Sequence, residues 1–291
     1  MIPEDEDMRI IDSCAACLYD KQKHLTEDPE YLDRVRELLD HRKEEDTSPY
    51  MVYQFALAYE ERFGKRPSYA PIKKRYNDLV LSMEKELEAD IEQAQDPLAR
   101  ALAYARVGNY IDFGAMNSVD PKTFMGLFQN AAFSDQDKKV YQDLLKALEA
   151  AKDFLLITDN CGEIVLDKLF LRQLKKRFPQ VHVAVLVRGE EVLNDATIQD
   201  AEYAGLAREN EVFSNGGPIA GTIYSMLPKE ARNAIDRADV ILAKGQGNYE
   251  SVSGQANGFP KKQVFYAFLC KCELFTKRFN VAPLTGVLTR E

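Results

Sequence analysis

The sequence predicts an α/β protein: an α/β/α sandwich around a mainly parallel sheet, preceded by a helical N-terminal subdomain. Three observations predict it. Residues 10 to about 150 carry apolar positions at helical spacing, punctuated by helix-start signals. After Ala151, short β-branched runs alternate with amphipathic stretches, as βαβ units require. Those runs are apolar almost throughout, as strands covered on both faces are. The boundary falls near residue 150, giving a helical part over 1–150 and an α/β part over 151–291. No Gly/Ser/Pro-rich linker separates them, so the two are expected to pack as one unit.

In the helical part, Asp28-Pro29, Ser48-Pro49, Asp96-Pro97 and Asp120-Pro121 share one pattern. A side-chain oxygen can accept from an orphan backbone N–H, and proline occupies the first helical position, where its missing donor costs little. Ser134-Asp135-Gln136-Asp137 reads as a capping box with Asp in place of Glu. In the second part, FLLIT, VHVAVLV (181–187) and DVILAK (239–244) read as buried strands. EVFSNG (211–216) is a weaker strand and QVFYAFLCK (263–271) a late one, with helices over IVLDKLFLRQLKKRF and NDATIQDAEYAGLA.

A net charge of −9 argues against a nucleic-acid surface, which needs a basic stripe. It leaves an anionic substrate open, because a bound cation reverses the local sign. The opening MIPEDEDMRI is acidic where a signal peptide would be basic and then apolar. No apolar run approaches the roughly 20 residues of a membrane span. Five cysteines do not read as a disulfide framework in a chain of 291 residues. A cytoplasmic protein is expected.

Ligands of open parallel sheets bind outside the carboxyl ends of the strands, so the residues leaving each strand are informative. The exits are Asp159-Asn160-Cys161-Gly162-Glu163, Arg188-Gly189 with Asn194-Asp195, Ser214-Asn215-Gly216-Gly217-Pro218, and Lys244-Gly245-Gln246-Gly247-Asn248. Four polar, glycine-bearing exits make a site, where one would make only a turn. Asp159, Asn160 and Asp195 supply hard oxygen ligands for a divalent cation, with Mn²⁺, Co²⁺, Ni²⁺ and Mg²⁺ left open because oxygen discriminates weakly among them. Lys244, with the backbone at Gly245, could meet a phosphate. Arg188, Asn194 and Glu163 are assigned to substrate contact. A cation, basic side chains and an acid together suit phosphate-ester hydrolysis. The competing reading is dull: Asp159 and Asp195 could be no more than helix caps.

TDNCGEIVLD, VRGEEVLNDAT and AKGQGNYES, in this order and spacing, resemble the damage-control phosphatase family, long called domain of unknown function 89. The resemblance extends to ARVGNYIDFG (105–114), to Cys14-Ala15-Ala16-Cys17 and to Lys271-Cys272, and so to nearly the whole chain. It implies a metal-dependent phosphatase of small phosphorylated metabolites, such as sugar phosphates or phosphopantetheine-like compounds. By motif position it implies metal ligation by Asp159, Asn160 and Asp195 and a phosphate-side loop at Lys244. The cysteine-bearing ends suggest the microbial branch. Cys161 and Glu190-Glu191 depart from the residues more usual there.

Cys14-x-x-Cys17 and Cys270-x-Cys272 could form a second, thiolate metal site if the two chain ends meet. Buried, inert thiols are the simpler expectation. Asn109 and Asp112, in GNYIDFG, are expected to back the site from the helical part. The three histidines, His24, His41 and His182, have no partner at ligand spacing, which speaks against zinc–histidine chemistry. Two other functions compete. One is a nucleotide-cofactor enzyme such as a methyltransferase or dehydrogenase, against which stands the turn D-N-C-G-E in place of G-x-G-x-x-G. The other is a non-catalytic metabolite-binding protein.

Overall fold

The structure is a computed structural model and describes residues 10–66, 68–110, 126, 128 and 131–291. Asp112 and Asp120-Pro121 lie outside the described residues.

Helices α1 (Ile10–Leu25), α2 (Pro29–Asp40) and α3 (Ser48–Phe63) pack on one another around Tyr31, Val35, Met51 and Phe55. Helices α4 (Ala70–Gln93), α5 (Pro97–Gly108) and α6 (Asp135–Ala150) come next. The caps are largely those expected. Asp28 Oδ1 accepts from Tyr31 N at 2.8 Å, Asp96 Oδ1 from Ala99 N at 3.1 Å, and Ser134 with Asp137 closes a capping box. The Ser48-Pro49 start is shifted by one residue: Thr47 is the N-cap, without a side-chain cap bond, and Ser48 already lies inside α3.

The second part runs β1 (Asp153–Ile157), α7 (Glu163–Arg177), β2 (His182–Val187), α8 (Ile198–Tyr203), β3 (Glu211–Ser214), α9 (Lys229–Arg237), β4 (Val240–Lys244), α10 (Gln246–Val252), β5 (Gln263–Leu269), α11 (Glu273–Phe279) and β6 (Gly286–Arg290). The sheet order is β3-β2-β1-β4-β5-β6, parallel except for β6, which pairs antiparallel with β5. Alternate residues of each strand feed opposite layers. Phe154, Leu156, Val185 and Leu242 face α4–α7, while Leu155, Ile157, Leu186 and Ile241 face α9–α11. The composition change near residue 150 is thus no break in packing, because α4, α5 and α6 share a core with β1, β2 and β4. Among the described residues no helix is long and apolar enough to cross a membrane.

Two corrections to the sequence reading concern the chain's end. β6, over GVLTR, is a strand the sequence does not announce. The late strand stops at Leu269, not at residue 271, so Cys270 and Cys272 do not alternate along one strand face. Cys270 is buried, whereas Cys272 is the exposed N-cap of α11.

The strand order positions the site. Chain order runs outward in both directions from β1 and β4, so the connections leave this pair toward opposite faces and open a crevice at their carboxyl ends. Asp159 lies just past β1 and Gly245 just past β4.

Candidate active site

Asp159 and Gly245 meet across that crevice. Gly245 has φ +79° and ψ 159°, a conformation nearly confined to glycine. A Cβ there would collide with the Asp159 carboxylate, lying 2.6 Å from Oδ1 and closer still to Oδ2 and Cγ. The acid is therefore laid flat against the β4 exit. Its backbone is pinned as well: Ala196 N donates to Asp159 O at 2.7 Å, and Asn160 pairs antiparallel with Asp195. This pairing draws the exits of β1 and β2 into one wall and sets Asp159, Asn160 and Asp195 side by side.

The hydrogen bonds behind this wall define what each atom can do. Asn109, buried at the end of α5, donates from Nδ2 to Asp159 Oδ2 at 2.5 Å and to Glu163 Oε2 at 3.2 Å, while its Oδ1 accepts from Leu269 N at 3.2 Å. Asn160 Nδ2 donates to Asp159 Oδ2 at 2.8 Å and to Glu163 Oε2 at 2.9 Å, which leaves its Oδ1 as the atom for a cation. Burial, with the charges of Asp195 and Glu163, pushes the Asp159 carboxyl up to about 8, against the pull of Lys271 and Arg188. For a carboxylate so placed, burial and acidic neighbours outweigh the nearby cations, a condition that a divalent cation relieves.

Arg188 is fully buried. Its Nε donates to Asp195 Oδ2 at 2.7 Å, and one terminal nitrogen donates to Gly221 O at 3.2 Å and Asn248 Oδ1 at 3.1 Å. The other terminal nitrogen lies 3.7 Å from Asp159 Oδ1 and has no hydrogen-bond partner among the described residues. An orphaned buried guanidinium N–H costs free energy unless something accepts from it. Asn248 holds the arginine in turn, donating from Nδ2 to Thr158 O at 2.9 Å and Lys244 O at 2.6 Å.

Lys244 has a different place from the phosphate contact expected of it. Its ammonium is fully buried beneath the acids and donates to Ala105 O at 2.9 Å, Glu163 Oε1 at 2.5 Å and Asp167 Oδ1 at 2.8 Å. Three donors meet three acceptors, so nothing is left for substrate. Burial opposes the charge of Lys244, but Asp167 and Glu163 outweigh it and hold the ammonium above its ordinary range. Burial also pushes Asp167 up to about 7 against the pull of Lys244. Glu163, expected at the substrate, is fully buried too, bracing Asn109 and Asn160 from below. Asn194 lies buried in the wall, where its backbone oxygen accepts from Cys161 N at 2.7 Å.

Three contributors escape the sequence reading. Asp167 completes the Lys244 pair. Lys271 is near enough to pull the Asp159 carboxyl down. Asn77 of α4 accepts from Gly162 N at 2.6 Å and donates to Asp200 at 2.8 Å, tying the β1 exit to α8. The first has a spacing signal: Glu163 and Asp167 stand four apart, on one face of a helix whose intervening residues are apolar.

Cys14 lies near enough to Cys17 and Cys272, and Cys270 to Cys272, for their charges to act on one another, so the two chain ends meet. Among the described residues, no three His, Cys, Asp or Glu side chains converge to hold a metal ion. The five cysteines are free, and burial pushes the thiols of Cys14 and Cys270 each up to about 11. The acid–amide–acid set at the crevice is of another kind, with two carboxylates and one amide oxygen.

Fold and site together define a class: α/β proteins with paired acids and a buried arginine where the sheet opens. Within it, the chain belongs to the family described as "Damage-control phosphatase ARMT1-like domain", which matches residues 8–284. Membership places it among damage-control phosphatases. It is 28% identical over 287 residues to a damage-control phosphatase of Archaeoglobus fulgidus, with 94% of this chain and 96% of that protein covered. A second damage-control phosphatase, from Pyrococcus horikoshii, is 29% identical over 185 residues, covering 62% of this chain and 61% of that one. The crystal structure of a domain-of-unknown-function-89 family protein from Pyrococcus horikoshii has the same fold, with a TM-score of 0.76 at 22% identity, covering 97% of this chain and 99% of that one.

Proposed function

We propose that the protein is a metal-dependent phosphomonoesterase of small phosphorylated metabolites. The observation that carries this reading is the convergence of Asp159, Asn160 and Asp195 beside an arginine N–H that lacks an acceptor among the described residues. The oxygen donors fit a divalent cation: two carboxylates and an amide Oδ1, with one carboxyl forced up by its burial and its acidic neighbours. Asp159, Asn160 and Asp195 would hold that ion, which would supply charge neutralisation at phosphate.

The chain's own groups do the rest. The orphaned Arg188 nitrogen takes a phosphate oxygen, while Asp195 and Asn248 keep the guanidinium from turning. Lys271 adds positive charge on the side of Asp159. Asn109 and Asn160 fix Oδ2 of Asp159, so Oδ1 is the atom directed toward the reaction. Attack on phosphorus comes from an aspartate carboxylate or from water. Rapid quench under turnover separates the two, since only the first leaves phosphate on protein. Sugar phosphates and phosphopantetheine-like esters are the substrate classes to try first. The sheet order is shared with dinucleotide-binding folds, but the β1 exit offers acids where a pyrophosphate needs a glycine-rich turn. Tight binding of NAD or S-adenosylmethionine by metal-free protein would favour that reading instead.

The test is phosphate release from sugar phosphates and an aryl phosphate by wild type and Asp195→Ala, after chelation and after adding each of Mn²⁺, Co²⁺, Ni²⁺ and Mg²⁺. Activity restored by metal in wild type alone is expected. Equal activity in both proteins, or full activity after chelation, would overturn the assignment.

A further inference from the structure

The exit of β2 has two sides. Its inner residues, Arg188 and Asp195, belong to the candidate active site. Its outer residues, Glu190 to Leu193, form one wall of a cleft of about 530 Å³. The opposite wall is a face of α3, including Tyr53 and Leu57, and the floor comes from Pro218 and Ala220 after β3. The cleft therefore lies over the carboxyl ends of β2 and β3, beside the crevice between β1 and β4. It connects to the site through short chain paths. Leu193 is two residues from Asp195, and Ala220 precedes Gly221, whose carbonyl accepts from Arg188.

Two further observations mark this cleft. Leu193 has φ +48°, a left-handed backbone conformation that is rare for a branched side chain and clusters at ligand clamps. Both walls keep large apolar side chains in solvent, with Leu193 39% and Leu57 44% exposed. Two of the charged groups that line it are engaged by the protein. Glu191 accepts from Ser68 Oγ and Tyr69 N at 3.0 and 2.7 Å, and the Arg66 guanidinium lies 4.5 Å over the Tyr59 ring. Glu60, Lys65 and Glu190 complete the charged lining, and Val52, Tyr53, Leu57, Val192 and Leu193 give a ligand an apolar and aromatic surface beside them.

We propose that this cleft is the subsite for the uncharged, largely apolar arm of a phosphomonoester whose phosphate sits at Asp159, Asn160 and Asp195. The inference rests on the phosphatase reading above and narrows it: esters with an arm of several carbons are preferred over compact ones. Tyr53, Leu57 and Leu193 set that preference.

Phenyl phosphate and 4-butylphenyl phosphate test it, because their leaving groups are close in acidity and differ in the arm. With wild type and the activating metal, KM for the butyl ester should fall about tenfold relative to the phenyl ester, with kcat little changed, as partial burial of four carbons requires. Leu57→Glu should bring the ratio of the two KM values to near one, and Leu57→Ser should give an intermediate ratio. Leu57 is solvent-exposed on α3, so neither change disturbs a core. Calorimetry of phenylphosphonate against 4-butylphenylphosphonate reads the same contrast without turnover. A wild-type ratio near one, or a ratio untouched by Leu57→Glu, would overturn the subsite. A phosphonate contrast without hydrolysis of either ester would uphold the subsite and overturn the phosphatase reading.

Discussion

Replacing Gly245 by alanine tests the reasoning about the site at its tightest point. The new Cβ would lie 2.6 Å from Asp159 Oδ1 and nearer to Oδ2 and Cγ. Ordinary carbon–oxygen contact begins near 3.4 Å, so the carboxylate must retreat by about 0.8 Å or more. It cannot retreat freely, because Asn109 and Asn160 both hold Oδ2. A displacement of about 1 Å in a reacting group costs on the order of 10²-fold in rate, and the glycine-only backbone adds about 1–3 kcal/mol of strain. Gly258→Ala is the control. Gly258 also has positive φ, +70°, but a Cβ there meets nothing within 4 Å. Both variants should lose stability in urea denaturation. Only Gly245→Ala should lose about 10²-fold in metal-restored phosphate release. Equal activities for the two variants would refute the claim that Gly245 exists to seat Asp159.

Two other predictions concern buried charge. Lys244→Met leaves Glu163 and Asp167 without their cation and should destabilise by about 3–5 kcal/mol in urea. Adding Asp167→Leu should restore part of that, and no recovery in the double variant would show that Asp167 is not the strained partner. Glu250, beside α3, has its carboxyl pushed up by burial to about 7 from 4.5. The folded state thus binds this proton more tightly than the unfolded chain, and stability is lost as pH rises from about 4.5 to about 7. Glu250→Gln should remove that loss, raising stability at pH 8 by about 1–3 kcal/mol and flattening the pH dependence of the melting temperature. An unchanged slope between pH 5 and pH 8 would show that the carboxyl is not held in that state.

The strands are legible because their burial on both faces writes itself as uninterrupted apolar sequence, as in Leu155–Ile157 and Val183–Val187. β6 is not, since GVLTR is a short antiparallel edge whose mixed burial resembles loop sequence. The acids after β1 and β2 can be named because chain direction alone fixes where a parallel sheet presents its exits. The placement of Lys244 cannot be read. A lysine before Gly-Gln-Gly looks solvated until α5 and α7 are known to close over it, bringing Ala105 O and Asp167 from distant sequence. The end of the late strand is misplaced for a related reason: alternation is informative only as far as a strand extends, and β5 ends at Leu269, the residue before Cys270.

The amide of Asn109 touches Asp159 and Glu163 through its nitrogen and Leu269 N through its oxygen. Those partners come from the first strand exit, the helix after it and the end of the fifth strand, while the amide itself belongs to the helical half. Asp159 is consequently oriented only when three distant stretches of chain, at Asn109, at 159–163 and at Leu269, have arrived together. The arrangement works as a quality check written into the molecule. A nascent or locally unravelled chain carries both acids but lacks the contacts that orient Asp159, and gains them only with the finished fold.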